Sequence, residues 1–175
     1  METTFVIGGC RSGKSSHAQF LAEKVPGQKL YIATCVPRDA EMRARAEQHQ
    51  QQRGADWETL EEPVALAAAI RANCEKYGVI LVDCLTLWTS NILLSPGGRP
   101  ELEKECGILV DSLTAPGCPV IFVSNEVGTG IVPENELARL YRDEAGRVNQ
   151  QIAAAADRVI WMVAGIPVTV KHPVP

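Results

Sequence analysis

Residues 4–24, TFVIGGCRSGKSSHAQFLAEK, decide the fold. Thr4–Ile7 is a short β-type run, and Lys14–Lys24 places Ala18, Leu21 and Ala22 on one helical face. Between them Gly8-Gly9-Cys10-Arg11-Ser12-Gly13-Lys14-Ser15 fits G-x-x-x-x-G-K-[ST] in full. The glycines allow torsions and a close backbone approach that a Cβ would block. Successive N–H groups then form an anion nest at the start of the Lys14 helix, where the helix dipole also favours phosphate. Lys14 brings a point charge to the β- and γ-phosphates, and the Ser15 hydroxyl suits Mg2+. A strand before the motif and a helix after it argue against a chance glycine turn. The expectation is a P-loop that cradles ATP or GTP with Gly8, Gly9, Cys10, Arg11, Ser12, Gly13, Lys14 and Ser15. Arg11 could touch phosphate or equally form a surface ion pair.

Outward from this motif, strand-like and helix-like segments alternate. Lys29–Ala33 and Val79–Asp83 (VILVD) read as strands, as does Pro119–Ser124, and the last two are apolar enough for burial on both faces. Helices are expected over Asp39 to about Gln52, Pro63–Tyr77, Leu85–Leu94, a stretch after the turn at Ser95–Pro100 to about Leu113, and Glu134–Asp157. Val159–Val163 and Val168–Lys171 look like closing strands, in a hairpin around Gly165-Ile166-Pro167. Strands separated by helices imply right-handed crossovers and a mostly parallel sheet covered on both faces. The expected architecture is one α/β P-loop domain over residues 1–175.

With 46% apolar and 22% charged residues the chain can bury a sizeable core, and neither composition nor charge suggests disorder. A net charge of −4 argues against a general nucleic-acid binder but not against small phosphorylated ligands held by local amides. The six cysteines, Cys10, Cys35, Cys74, Cys84, Cys106 and Cys118, show neither C-x-x-C pairing nor metal-ligand spacing, which suits reduced thiols. No stretch is apolar over a membrane-spanning length, and no signal segment precedes the motif, so a cytoplasmic protein is expected.

Asp83 ends the VILVD run, where a carboxylate can reach Mg2+ directly or through water; it could instead cap the following helix. The segment Asp39–Arg53, DAEMRARAEQHQQQR, is too polar to bury a broad helical face. It is either a solvated surface helix or, since it follows a strand at the edge where nucleotides bind, a carrier of His49. A neutral imidazole beside a nucleoside triphosphate can attack the α-phosphorus. His17, just beyond Lys14, and His172, in a proline-bounded tail, are weaker candidates.

With these residues placed, the chain resembles the bifunctional adenosylcobinamide kinase / adenosylcobinamide-phosphate guanylyltransferase family. The matching features are GG-x-RSGKS at 8–15, YIAT at 31–34, EM-x-x-R-x-x-x-H at 41–49, Trp57 to Glu61, Asp83-Cys84-Leu85-Thr86 with Asn91, and the block from Ser124 to Asp157. The resemblance implies a RecA-type fold, a homotrimer, Mg2+ and two reactions. A nucleoside triphosphate phosphorylates the corrinoid adenosylcobinamide, and GMP then passes from GTP to the product through a histidyl-GMP, here on His49. It also implies nucleotide contacts at Ala33, Thr34, Cys35, Gln50, Gln51, Gln52, Arg53, Glu61 and Asp83. Where some relatives carry His-His, this chain has Gln48-His49, which leaves one candidate nucleophile. The block 124–157 is expected to shape the corrinoid side or, alternatively, to serve subunit packing.

Overall fold

A computed structural model describes residues 2–36, 53–114 and 117–173. Seven strands form one sheet: β1 (Thr3–Gly8), β2 (Lys29–Ala33), β3 (Trp57–Glu61), β4 (Val79–Asp83), β5 (Val120–Asn125), β6 (Arg158–Val163) and β7 (Ile166–Lys171). Their spatial order is β3-β2-β4-β5-β1-β6-β7. Every neighbouring pair runs parallel except the terminal hairpin of β6 and β7. The expected helix at Asp39–Gln52 lies outside the described residues. The described helices are α1 (Lys14–Glu23), α2 (Leu66–Asn73), α3 (Leu85–Leu93), α4 (Gly98–Ser112) and α5 (Glu136–Ala155).

Alternation along the strands sends side chains to two cores. On one face Val6, Leu81, Val123, Ile160 and Met162 pack with Ala18 and Ala22 of α1. On the other, Phe5, Ile80, Val82 and Phe122 meet residues of α2 to α5. Trp88 of α3 is fully buried there, and its indole N–H donates to the Val64 carbonyl at 2.7 Å, which satisfies its one polar atom. Helices therefore cover both faces, as the alternating pattern required.

One strand is added and three local readings change. Trp57–Glu61 is an edge strand; its only apolar residues, Trp57 and Leu60, stand three apart, so it lacks the period-two signal. The expected helix at Pro63–Tyr77 shrinks to α2, because the Glu62 carboxylate accepts from the Val64 and Ala65 amides and holds a turn before it. The helix α4 starts at Gly98, inside the expected turn, and takes Pro100 into its first turn, where a missing N–H costs nothing. The closing hairpin turns at Ala164-Gly165, with φ of 50° and 86°, so β7 starts two residues earlier than expected. Two successive positive φ values suit the twist of a two-residue hairpin. Among the described residues no helix is long and apolar enough to cross a membrane.

Candidate active site

The phosphate loop leaves β1 at the carboxyl edge of the sheet and enters α1 through Gly13, at φ 89°. A Cβ on Gly8 would lie 2.5 Å from the Met162 carbonyl oxygen and 2.9 Å from Ser12 Oγ, so neighbouring β6 demands glycine here. Arg11 adopts φ 52° at the exposed tip of the loop. The turn of the β6–β7 hairpin backs the cradle, with the Gly165 amide donating to the Ser12 carbonyl at 3.1 Å. Ser12 Oγ is buried with no hydrogen-bond partner among the described residues, and Ser15 is half-buried in the first turn of α1.

Lys14 is buried, and its ammonium donates to the Gly9 carbonyl at 2.6 Å, folding back over its own loop. Burial lowers its pKa, while the Asp83 carboxylate acts in the opposite direction. The Asp83 carboxylate, at the end of β4, thus acts electrostatically on Lys14 from the same edge of the sheet. The Ser15 hydroxyl and Asp83 are an oxygen donor set of the kind Mg2+ accepts, with phosphate oxygens and water completing its shell. Among the described residues no group of three or more His, Cys, Asp or Glu could hold a metal unaided.

Strand register collects other sequence candidates. Asp83 is the Cα partner of Ala33, and Ala33 of Glu61, so the three form one row across β4, β2 and β3. Thr34 is fully buried beyond this row. Its hydroxyl donates to the Cys84 carbonyl at 2.7 Å and accepts from the Cys84 amide at 2.8 Å, which clamps the residue after Asp83. The Thr34 carbonyl in turn accepts from Asn91 Nδ2 at 2.8 Å. Cys35 follows, half-buried. Arg53 stacks its guanidinium 3.7 Å from the centre of the Tyr31 ring and donates to Thr59 Oγ1 at 3.2 Å. Burial pushes the Tyr31 phenol far up, and Asp83 adds to the shift while Arg53 opposes it. His49, Gln50, Gln51 and Gln52 lie outside the described residues. His17 packs against Phe20 with ring centres 6.0 Å apart, and burial and then Lys24 lower its pKa.

A polar chain not singled out from the sequence runs along the same edge. Asn149 of α5 accepts from Ser124 Oγ at 2.7 Å and donates to the Asn125 carbonyl at 3.2 Å. Asn125 Nδ2 donates to Thr86 Oγ1 at 3.0 Å, and that hydroxyl lies 2.9 Å from Cys84 Sγ. Tyr141 donates to the Thr86 carbonyl at 3.1 Å, and burial pushes its phenol up to about 12. Asn125 ends β5 opposite Gly8, so the rule that ligands gather at the carboxyl ends of parallel strands could have found it.

Comparison with known proteins agrees with this geometry. The RadB recombinase structure superposes with a TM-score of 0.52 at 14% identity, over 98% of this chain and 81% of that one, which supports a RecA-like P-loop fold. The bifunctional adenosylcobalamin biosynthesis protein CobP of Pseudomonas aeruginosa is 45% identical over 166 residues, 95% of each chain. The corresponding CobU of Salmonella typhimurium is 44% identical over 178 residues, covering 95% of this chain and 98% of that protein. The family described as cobinamide kinase / cobinamide phosphate guanyltransferase matches residues 4–170. The chain belongs to that cobinamide kinase / cobinamide phosphate guanyltransferase family.

Proposed function

We propose that this protein phosphorylates the aminopropanol hydroxyl of adenosylcobinamide with ATP or GTP, and then transfers GMP from GTP to the product, giving adenosylcobinamide-GDP and pyrophosphate. The observation that carries it is a complete phosphate loop, with Lys14 at the start of its helix and Asp83 at the end of β4, in a chain matched to the family from residue 4 to 170. The loop amides and Lys14 hold the triphosphate and offset charge that develops as the γ-phosphoryl group moves. Ser15 and Asp83 would hold Mg2+, which supplies charge neutralisation between phosphate oxygens. Arg11, Ala33, Thr34, Cys35, Gln50, Gln51, Gln52, Arg53 and Glu61 complete the nucleotide contacts in this reading.

For guanylyl transfer, a neutral His49 nitrogen attacks the α-phosphorus, a P–N bond forms, and pyrophosphate leaves. The phosphate of the corrinoid then displaces the imidazole. An unperturbed imidazole pKa of about 6.5 leaves most of the nucleophile neutral at pH 7. The working protein is a cytoplasmic homotrimer of single-domain subunits on this reading. The test is incubation with α-labelled GTP and Mg2+, followed by mass spectrometry. Wild type is expected to gain a GMP adduct on His49, and His49→Ala to gain none while still phosphorylating adenosylcobinamide. An adduct that persists in the variant removes His49 as the carrier. No adduct in wild type, with kinase activity intact, reduces the protein to a P-loop kinase.

A further inference from the structure

The two reactions make different demands on the acceptor. The first attacking group is an alcohol, whose proton must leave as the new P–O bond forms. The second is a phosphate monoester, already ionised at pH 7 because its second pKa is about 6. A proton acceptor is therefore needed for the first step and has no task in the second.

Asp83 does not fit that task, because the function proposed above already commits its carboxylate to Mg2+. Glu126 does. It is the first residue after β5, and its amide donates to the Gly8 carbonyl at 3.0 Å, which fixes its backbone beside the first phosphate-loop glycine. It is half-buried, and among the described residues no side chain or backbone group pairs with its carboxylate. It also lines a cavity of about 270 Å3 between the sheet and α5, together with Ile7, Val127, Gly146, Asn149 and Gln150. A Cβ on Gly146 would meet nothing within 4 Å, so neither packing nor a positive φ demands glycine there, and the missing side chain leaves the cavity open. The lining joins apolar walls to two carboxamides and one carboxylate, a set suited to an uncharged arm bearing amide and hydroxyl groups.

We infer that Glu126 is the catalytic base of the kinase step, acting at the mouth of a cavity that seats the hydroxyl-bearing arm of the corrinoid. The inference rests on the function proposed above. In the step the acceptor O–H bond breaks and its proton passes to a Glu126 carboxylate oxygen. The freed electron pair forms the bond to the γ-phosphorus, and the bond from that phosphorus to the β-bridging oxygen breaks, releasing the nucleoside diphosphate. The product is a phosphate monoester whose arm lies in the same cavity for the second reaction.

The experiment compares wild type, Glu126→Gln and Glu126→Asp in two separate assays: phosphorylation of adenosylcobinamide, and guanylyl transfer from GTP to adenosylcobinamide phosphate made beforehand. Glu126→Gln is expected to lower kcat for phosphorylation by about 100-fold or more, with KM for the triphosphate unchanged. Its guanylyl transfer should fall far less. Glu126→Asp, which keeps a carboxylate on a shorter stem, should recover part of the kinase rate. Gly146→Leu, which fills the cavity, should raise KM for the corrinoid in both assays. A Glu126→Gln enzyme with wild-type kinase kcat overturns the inference, as does an equal loss in both assays, which marks a structural role. Wild type that leaves adenosylcobinamide unphosphorylated but takes up GMP removes the proposed kinase reaction and this base with it. Wild type active in both assays with an unaffected variant removes the base alone.

Discussion

Two loops leave neighbouring strands at paired ends, the phosphate loop after Gly8 and the 126–135 loop after Asn125, and they are held in opposite ways. The first is closed mostly by main-chain bonds, Ser12 N–H to the Gly9 carbonyl at 3.3 Å and Gly165 N–H to the Ser12 carbonyl at 3.1 Å, with the Lys14 ammonium as the one side-chain donor, to the Gly9 carbonyl at 2.6 Å. The second is lashed to α5 by side chains. Arg142 donates to the Gly128 and Gly130 carbonyls, and Arg139 to those of Pro133 and Glu134. Its tip leaves Ile131 96% exposed, with Val132 also in solvent. A backbone-built cradle suits the triphosphate, which is common to both proposed reactions. A loop held by long side chains can reshape at low cost around an acceptor that gains a phosphate between them.

The comparison breaks most visibly at Lys14. Lys14→Ala is expected to lower both activities by about 100-fold or more, with circular dichroism unchanged, since each reaction needs the triphosphate charge held. Near-normal rates in both assays would overturn the phosphate-loop assignment. Gly8→Ala tests the rigidity of the same loop. Its Cβ meets the β6 main chain, so thermal unfolding should show a loss of about 1–3 kcal/mol. For a chain of this size that is a fall of roughly 2–4 °C in Tm per kcal/mol.

On the other loop the effect should appear in binding instead. Arg142→Ala should change stability by less than about 1 kcal/mol, since the half-buried side chain lies outside the core. It should nevertheless raise KM for adenosylcobinamide while leaving that for ATP in place; a rise in both would merge the two regions. Gly146→Ala should stabilise α5 by about 0.5–1 kcal/mol, because a helix-interior glycine is replaced where space is open. The smallest effect sharpens the contrast by protection. GTP should slow alkylation of exposed Cys10, whereas Cys106 and Cys118, whose thiols burial pushes up to about 11, should stay slow with or without it.

The same contrast explains what the sequence disclosed. The phosphate loop was legible in full because backbone geometry forces glycine, lysine and serine to fixed spacings, and VILVD was legible because a strand buried on both faces must be apolar. Neither reason applies to Trp57–Glu61, whose pairing with β2 depends on register along the sheet edge and leaves most of its residues exposed. The chain from Asn149 through Asn125 to Thr86 joins residues far apart in sequence, and each alone reads as an ordinary polar side chain. Glu126 stood out only as one member of the 124–157 block, for a related reason. Its position matters through one amide bond to Gly8 and through a cavity whose far wall is α5. The proposed role of His49 came from family likeness, since an amphipathic pattern cannot separate a nucleophile from a solvated imidazole.

The brace behind the phosphate loop bears on how the protein is made. The strand β1 is paired on one side with residues 120–125 and on the other with residues 158–162, and Gly165 then grips the Ser12 carbonyl. During translation the nucleotide cradle thus emerges from the ribosome early but acquires its walls late, after its distant neighbours have been synthesised. Until then β1 presents two open edges, the kind of surface on which nascent chains aggregate and chaperones act. The hairpin that completes the sheet is thus also the last brace the phosphate loop receives.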